Sequence, residues 1–414
     1  MSLVVLPAVN PLIVQKFGGS SVADPDRIRA VAAHIVQTRR AGNGVVVVVS
    51  AMGKTTDDLV RLAHDVSAAP SARELDMLLT SGERISIALL CMAIIDLGEQ
   101  AVSFTGSQAG IVTDTEHGKA KILEVKGERL RAVLAEGGIA VVAGFQGVST
   151  DRAVTTLGRG GSDTTAVALA SALGADVCEI YTDVTGVFTA DPRIIGDARR
   201  LERVSYEEML EMAATGGRVL ALRSVEFARN YRVAVHVRSS FTWEPGTWVG
   251  EEHSTMEQAI VSGVTHDISE AKVTIERVPD QPGVAARLFR VLADSAVNVD
   301  MIVQNVSHDG LTDISFTVPK DELDRALRVV SDVSREMNAG EVRHDLEVGR
   351  VSLIGAGMRS NPGVAATMFE TLAKEGVNIQ MISTSSIRIS CVIQATHVGR
   401  AVRVLHDVFE LGAA

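Results

Sequence analysis

Thr156-Leu157-Gly158-Arg159-Gly160-Gly161-Ser162-Asp163-Thr164-Thr165 leads without a break into an alanine-rich run ending at Leu173, and Val177-Cys178-Glu179-Ile180-Tyr181 follows. The spacing predicts a glycine loop, a helix over 164–173 and a strand over 177–181. Three glycines and an arginine are more than a helix cap needs. Free backbone N–H groups at the helix start, with Arg159 beside them, make an anion site, to which Ser162 and Asp163 add polar and acidic groups.

The same alternation extends through the first 250 residues. Leu12–Phe17 is an expected strand, and Asp24-Pro25 supplies an N-cap and a first-turn proline for a helix with Ile28, Val31, Ala32 and Ile35 on one face. Five valines at 45–49, ending in Ser50, predict a strand buried on both faces. Helical patterns cover 57–66 and 73–97, and Ile139–Ala143 is a further buried strand. The pattern is that of an α/β fold, a mostly parallel sheet sandwiched by helices.

The chain of 414 residues is long enough for two or three domains with full cores. Its 40 Lys+Arg against 51 Asp+Glu leave a net charge of −11, so no global positive field collects nucleic acid or anionic lipid. Any anionic ligand is therefore held locally. Cys91, Cys178 and Cys391 sit apart in apolar runs and are expected to be buried thiols, and the histidines lack zinc-site spacing, so no metal site is expected. The apolar start, residues 3–14, holds two prolines and lacks the positive flank of a signal peptide. No run of about 18 uninterrupted apolar residues occurs, and the expectation is a cytoplasmic protein with no membrane or nucleic-acid partner.

Near residue 250 the texture changes to a turn and a polar linker, and an internal repeat follows. Pro282-Gly283-Val284-Ala285-Ala286 recurs at 362–366, and Val297-Asn298-Val299-Asp300-Met301-Ile302 recurs as Val377-Asn378-Ile379-Gln380-Met381-Ile382, both at an offset of 80. Each copy predicts a β-α-β-β opening, completed as a four-stranded ferredoxin-like sheet with two helices. The expected boundaries are 1–250 for the first domain, 251–264 for the linker, and 265–345 and 346–414 for the repeated modules.

Three glycine-containing segments fall at strand ends, where open α/β sheets place ligands. Besides 158–165 they are Lys16-Phe17-Gly18-Gly19-Ser20-Ser21 and Tyr181-Thr182-Asp183-Val184-Thr185-Gly186, the latter leading to Asp191-Pro192-Arg193. Taken alone, each of these two is either a plain turn or a phosphate-approaching loop. Glu83 is by default a solvated helix residue, and Ser50 to Thr56 by default a capping loop. Their convergence at comparable points of one sheet suits phosphoryl transfer between anions.

These segments resemble the aspartate kinases of the amino acid kinase family, over nearly the whole chain. Lys16-Phe17-Gly18-Gly19-Ser20, Ser81-Gly82-Glu83, Thr156 to Asp163 and Tyr181-Thr182-Asp183-Val184 match family motifs in the expected order, and the doubled module is similar to paired ACT regulatory domains. Residues 103–110 look especially like the actinobacterial branch. The resemblance implies transfer of the ATP γ-phosphate to the side-chain carboxylate of L-aspartate, with Mg²⁺ on the phosphates. Lys16 and Asp163 would be catalytic. Ser50, Thr55, Glu83, Arg159, Gly160, Gly161 and Ser162 would hold the substrate. Lys16, Phe17, Gly18, Gly19, Thr182, Asp183, Phe188, Arg193 and Arg218 would face the nucleotide.

In the repeated modules the resemblance implies feedback by threonine, lysine or both. Asp280, Gln281, Gly283, Ala285, Asn298 and Gln304 of one copy, and Asn378 and Ile379 of the other, would bind the effector, with Ser307 also affecting inhibition. A homo-oligomer paired through the ACT copies is expected, with a shorter companion subunit starting at Met256 as a further expectation. The sequence departs from the family pattern at Arg218, where lysine is expected, at Thr185, and at Ile87, where asparagine is expected. Gln380 and Ser386 stand where close relatives resemble glutamate. Another acidic amino acid as substrate, or an amino-acid-sensing regulatory subunit, are the alternative readings.

Overall fold

The computed structural model describes residues 11–251, 260–305 and 309–412. Met256 and Ser307 lie outside them. The chain divides into two compact units. The first holds the described residues up to 187 with 200–213 and 218–251; the second holds 188–199, 214–217 and the described residues from 260 onward.

The strands of the first unit are β1 (Leu12–Phe17), β2 (Gly44–Val49), β3 (Ala101–Phe104), β4 (Ile111–Thr113), β5 (Ile122–Val125) and β6 (Ile139–Ala143). They continue with β7 (Gln146–Ser149), β8 (Val154–Thr156), β9 (Val177–Thr182), β10 (Arg203–Ser205), β11 (Val235–Ser239) and β12 (Thr247–Gly250). An eight-stranded sheet runs β10-β12-β11-β9-β1-β2-β6-β3. All its pairings are parallel except β11 with β12.

The valines of β2 are fully buried because helices cover both faces, and each contributes about 2 kcal/mol of apolar burial. Helix Pro25–Arg40 starts as expected, with Asp24 accepting from the Arg27 N–H at 2.9 Å and Pro25 in the first turn. Ile87, the departure from asparagine, packs in this core with Leu90, Ile94 and Val31. A side sheet, β5-β4-β7-β8, is not anticipated by the periodicity, because its strands are only three or four residues long. Helix Ala72–Asp96 is long and apolar enough to cross a membrane, but half of its most apolar window is buried inside the protein. Buried Asp76 and Glu83 mark it as a core helix.

In the second unit the strands are β13 (Gly263–Asp267), β14 (Glu270–Pro279), β15 (Ile302–Gln304), β16 (Leu311–Pro319), β17 (Val342–Asp345), β18 (Val348–Ile354), β19 (Ile379–Thr384) and β20 (Arg388–Gln394). The first module is the sheet β15-β16-β14-β17 with helices Val284–Asp294 and Leu323–Glu336. The second is β13-β18-β20-β19 with helices Val364–Lys374 and Val398–Val408. The boundaries differ from the sequence expectation, since 188–199 and 214–217, inside the expected 1–250 domain, group with the second unit. β13, which straddles the expected start of the first module at residue 265, pairs antiparallel with β18 from Gly263↔Ile354 to Asp267↔Arg350. Val261 and Val264 join the second module's core, so the first module is an insertion into the second. The two modules are tied by Arg350, only 2% exposed, whose guanidinium meets Asp300, Glu270 at 3.2 Å and Asp267 at 3.8 Å. A buried cation is tolerable only with such partners.

Candidate active site

β1 lies at the sheet's switch point: the chain fills one side with β2, β3 and β6, then returns to the other with β9. Loops leaving the carboxyl ends of β1, β2 and β9 therefore diverge around a crevice. Lys16, the penultimate residue of β1, is 9% exposed, and its Nζ lies 2.5 Å from Asp163 Oδ1. Gly18 donates to the Tyr181 carbonyl at 3.3 Å, tying the first glycine loop to β9. At Gly19 a Cβ would sit 2.9 Å from the Ala51 carbonyl and 3.0 Å from that of Gly53, so only glycine lets the loops after β1 and β2 touch.

Asp163 stands in the first turn of helix Gly161–Leu173. Gly160 is left-handed (φ +71°), and a Cβ there would collide with the Ala221 Cβ at 2.1 Å. The loop thereby seats against the segment that begins three residues after Arg218. Gly161 N bonds the Gly158 carbonyl and Thr164 N the Gly160 carbonyl, both at 3.0 Å, so the orphan amides that a helix start offers an anion are those of Ser162 and Asp163. Ser50 Oγ donates to Ser162 Oγ at 3.0 Å, and the Ser50 N–H bonds the Phe17 carbonyl at 3.1 Å. Lys16, Ser50, Ser162 and Asp163 are thus one linked set.

Glu83 is not the solvated helix residue of the default reading: it is 2% exposed. Its Oε1 accepts from the Ala51 N–H at 3.2 Å, while Oε2 is buried without a partner. Burial pushes its carboxyl up to about 7. An unpartnered buried carboxylate oxygen calls for a cationic guest. Gly82 lets the helix approach, since a Cβ there would meet the Ala51 Cβ at 2.8 Å and the Thr55 Cγ2 at 3.4 Å. Thr55 Oγ1 bonds the Met52 carbonyl at 2.6 Å. Arg159 is exposed at the loop tip, with no ion-pair partner among the described residues.

On the other side of β1, Thr182 Oγ1 donates to Asp183 at 3.1 Å, and Asp183 and Arg218 are exposed. Phe188 and Arg193 belong to the second unit, where Arg193 forms an ion pair with Asp191 at 2.7 Å. The effector candidates are in the second unit too. Gly283 (φ +94°) caps helix Val284–Asp294, Asp280 N bonds the Gly310 carbonyl at 2.8 Å, and Gln281 N bonds that of Pro279. Asn298 N donates to Glu322 at 2.8 Å, Gln304 ends β15, and Asn378 precedes β19, which opens at Ile379. Gln380 accepts from Lys272 Nζ at 3.3 Å across the modules.

Two polar groups in the first unit escape a linear reading. Asp76, His117 and Arg223 meet around the base of the loop that carries Arg159, Asp76 through Thr156 and Arg223 through the Leu157 carbonyl. Beneath the first glycine loop, Glu179 accepts from Gln15 (2.8 Å), Tyr181 (2.9 Å) and Arg238 (2.9 Å). Burial would raise the Glu179 carboxyl, but the Gln15 bond and Arg238 outweigh it and hold it below the usual range. His34, on the Tyr181 hydroxyl at 2.7 Å, is pushed down to about 4 by burial and is neutral. Phe17 stacks on Tyr181 with centroids 4.7 Å apart, so this network sets the floor under Lys16.

An amino acid kinase family profile matches residues 11–239, and an ACT domain profile matches 274–333 and 351–409. An aspartokinase of Mycolicibacterium smegmatis is 61% identical over 97% of this chain and 96% of its own length, and one of Corynebacterium glutamicum is 55% identical over the same shares. Among solved structures, E. coli aspartokinase III in complex with aspartate and ADP is 26% identical, with a TM-score of 0.83 over 96% of this chain and 99% of that one. The chain therefore belongs to the amino acid kinase family, in its aspartokinase branch with paired ACT domains. The enzyme is an ATP-dependent kinase with a carboxylate acceptor.

Proposed function

We propose that the site transfers the γ-phosphate of ATP to the side-chain carboxylate of L-aspartate, giving 4-phospho-L-aspartate and ADP. The observation that carries this is the pairing of buried Lys16 and Asp163 at the start of a glycine-flanked helix, with the half-satisfied carboxylate of Glu83 beside the neighbouring loop. The acceptor's own pKa is about 4, so it arrives ionised and needs no general base. The obstacle is repulsion between anions. Lys16 neutralises charge on the transferring group, and Asp163 holds the Lys16 ammonium in place; the amides of the helix start add fixed donors. Glu83 receives the substrate's α-ammonium group, and Arg159 its α-carboxylate, with Ser50, Thr55, Gly160, Gly161 and Ser162 closing the pocket. Thr182, Asp183 and Arg218 serve the nucleotide.

The glycines at 19 and 160, where a Cβ would collide, fit a cradle for phosphate oxygens. Mg²⁺ would arrive on the nucleotide's phosphates. When bound, Mg²⁺ supplies neutralisation of the phosphate charge. The decisive test is hydroxamate trapping of the acyl phosphate across acidic amino acids. L-Aspartate is expected to be the preferred acceptor; preference for glutamate or a modified aspartate overturns the substrate assignment.

Regulation belongs to the same reading. A structure of E. coli aspartokinase III in complex with lysine and aspartate is 25% identical with a TM-score of 0.74. Here the turn Asp280 to Ala285, leading into a helix N-terminus, offers amides to an effector carboxylate, with Asn298, Gln304, Asn378 and Ile379 as side-chain and strand contacts. Chains pair through the ACT modules, and a companion begins at Met256. A cytoplasmic location accompanies this reading. Ala285→Val is expected to raise the concentration of threonine or lysine needed for half-inhibition at least about tenfold with kcat unchanged. If neither amino acid alters wild-type turnover, the feedback reading fails.

A further inference from the structure

Asp76 is buried to 1% exposure on helix Ala72–Asp96, seven residues before Glu83 and on the same face. Its carboxylate is saturated from two other elements. His117 Nδ1 lies at 2.7 Å from Oδ2, the Gly118 N–H lies at 3.2 Å from both oxygens, and Thr156 Oγ1 donates to Oδ1 at 2.5 Å. Thr156 is the last residue of β8, immediately before the loop Leu157 to Gly161. The turn at Gly118 bears on the same loop: a Cβ at Gly158 (φ +78°) would stand 3.1 Å from the Gly118 carbonyl. Ala120 N bonds the Thr156 carbonyl at 2.9 Å, and Arg223 donates to the Leu157 and Ala120 carbonyls at 3.0 and 2.9 Å. Asp76, the turn at 117–120 and Arg223 thus all meet at the base of one glycine loop.

We propose that Asp76 is a positioning residue for the loop that carries Arg159. One rigid helix then presents Glu83 directly and fixes the Arg159 loop through Asp76, setting the spacing between the groups that take the two charges of the amino acid's backbone end. Such a device discriminates α-amino acids from acids lacking the ammonium group without touching either. The inference rests on Arg159 engaging the substrate. Asp76→Asn keeps the shape but removes the charge and one of the two acceptor oxygens, which weakens the common anchor of the turn and the end of β8.

The test is a double-mutant cycle with purified full-length enzyme, following KM for aspartate, KM for ATP, kcat and thermal midpoint. Asp76→Asn is expected to raise the aspartate KM about tenfold, equivalent to about 1.4 kcal/mol, and to leave the ATP KM and kcat within about twofold. In an Arg159→Ala background the same change should add less than about twofold, because the group it positions is gone. Should Asp76→Asn fail to fold, Thr156→Val, which removes a single donor, carries the cycle in its place. Effects that multiply in the double mutant, or an ATP KM that rises in step with that for aspartate, reduce Asp76 to a structural role and overturn the proposal. If Arg159→Ala alone leaves the aspartate KM unchanged, the substrate role of Arg159 fails first and the proposal falls with it.

Discussion

Lys16→Ala and Asp163→Ala are each expected to lower kcat at least about 10²-fold, or about 2.7 kcal/mol in the barrier, while changing the ATP KM by only a few-fold. Both residues act on charge that moves during transfer, so their loss is felt in the transition state more than in nucleotide binding. Since Lys16 is 9% exposed and 2.5 Å from Asp163, removing either one strands the other charge in a poorly solvated place. Thermal midpoints must therefore accompany the kinetics. The double variant separates the two effects: its stability should recover toward wild type while kcat stays low, because the pair acts as a unit. Wild-type-like turnover in either single variant would remove the pair from the reaction.

Lys16 and Asp163 were legible as candidates because each lies beside glycines at a predicted strand end or helix start, where open α/β sheets put ligands, while their catalytic roles came from the resemblance alone. Glu83 was legible only in part. The resemblance placed it at the substrate, but periodicity gives a helix residue, and its burial comes from Gly82 letting residues 51 and 55 approach. The brace under the Arg159 loop was not legible, since Asp76 lies 41 residues from His117 and 80 from Thr156, joined by no local pattern. A charged residue spaced with Leu79, Thr80, Glu83 and Ile87 on a buried face was the available signal. The placement of β13 was hidden for a different reason. Repeats are recognised by similarity, whereas strand partnership with β18 is a long-range choice made by apolar burial of Val261 and Val264.

Glu83→Gln is expected to separate substrate affinity from stability in opposite directions. Burial holds the Glu83 carboxyl up at about 7, against an ordinary 4.5. The folded empty enzyme binds this proton more tightly than the unfolded chain does, so the penalty grows as pH rises from 4.5 to about 7 and is complete above it. The shift corresponds to as much as about 3 kcal/mol at pH 8. Glutamine carries no such penalty, so the variant without substrate should melt higher than wild type at pH 8, with the gap closing toward pH 5. Aspartate binding responds the other way. An α-ammonium group needs Glu83 ionised, so the wild-type KM for aspartate should climb as pH falls below about 7, approaching tenfold per unit, while the variant's KM is high and flat across that range. The ammonium contact is the same in ground and transition states, so kcat at saturating aspartate should change little. Thermal melts and initial rates at pH 5 to 9 read both trends. An aspartate KM that keeps its wild-type value and slope in Glu83→Gln would take the carboxylate out of the substrate pocket, whatever the melts show.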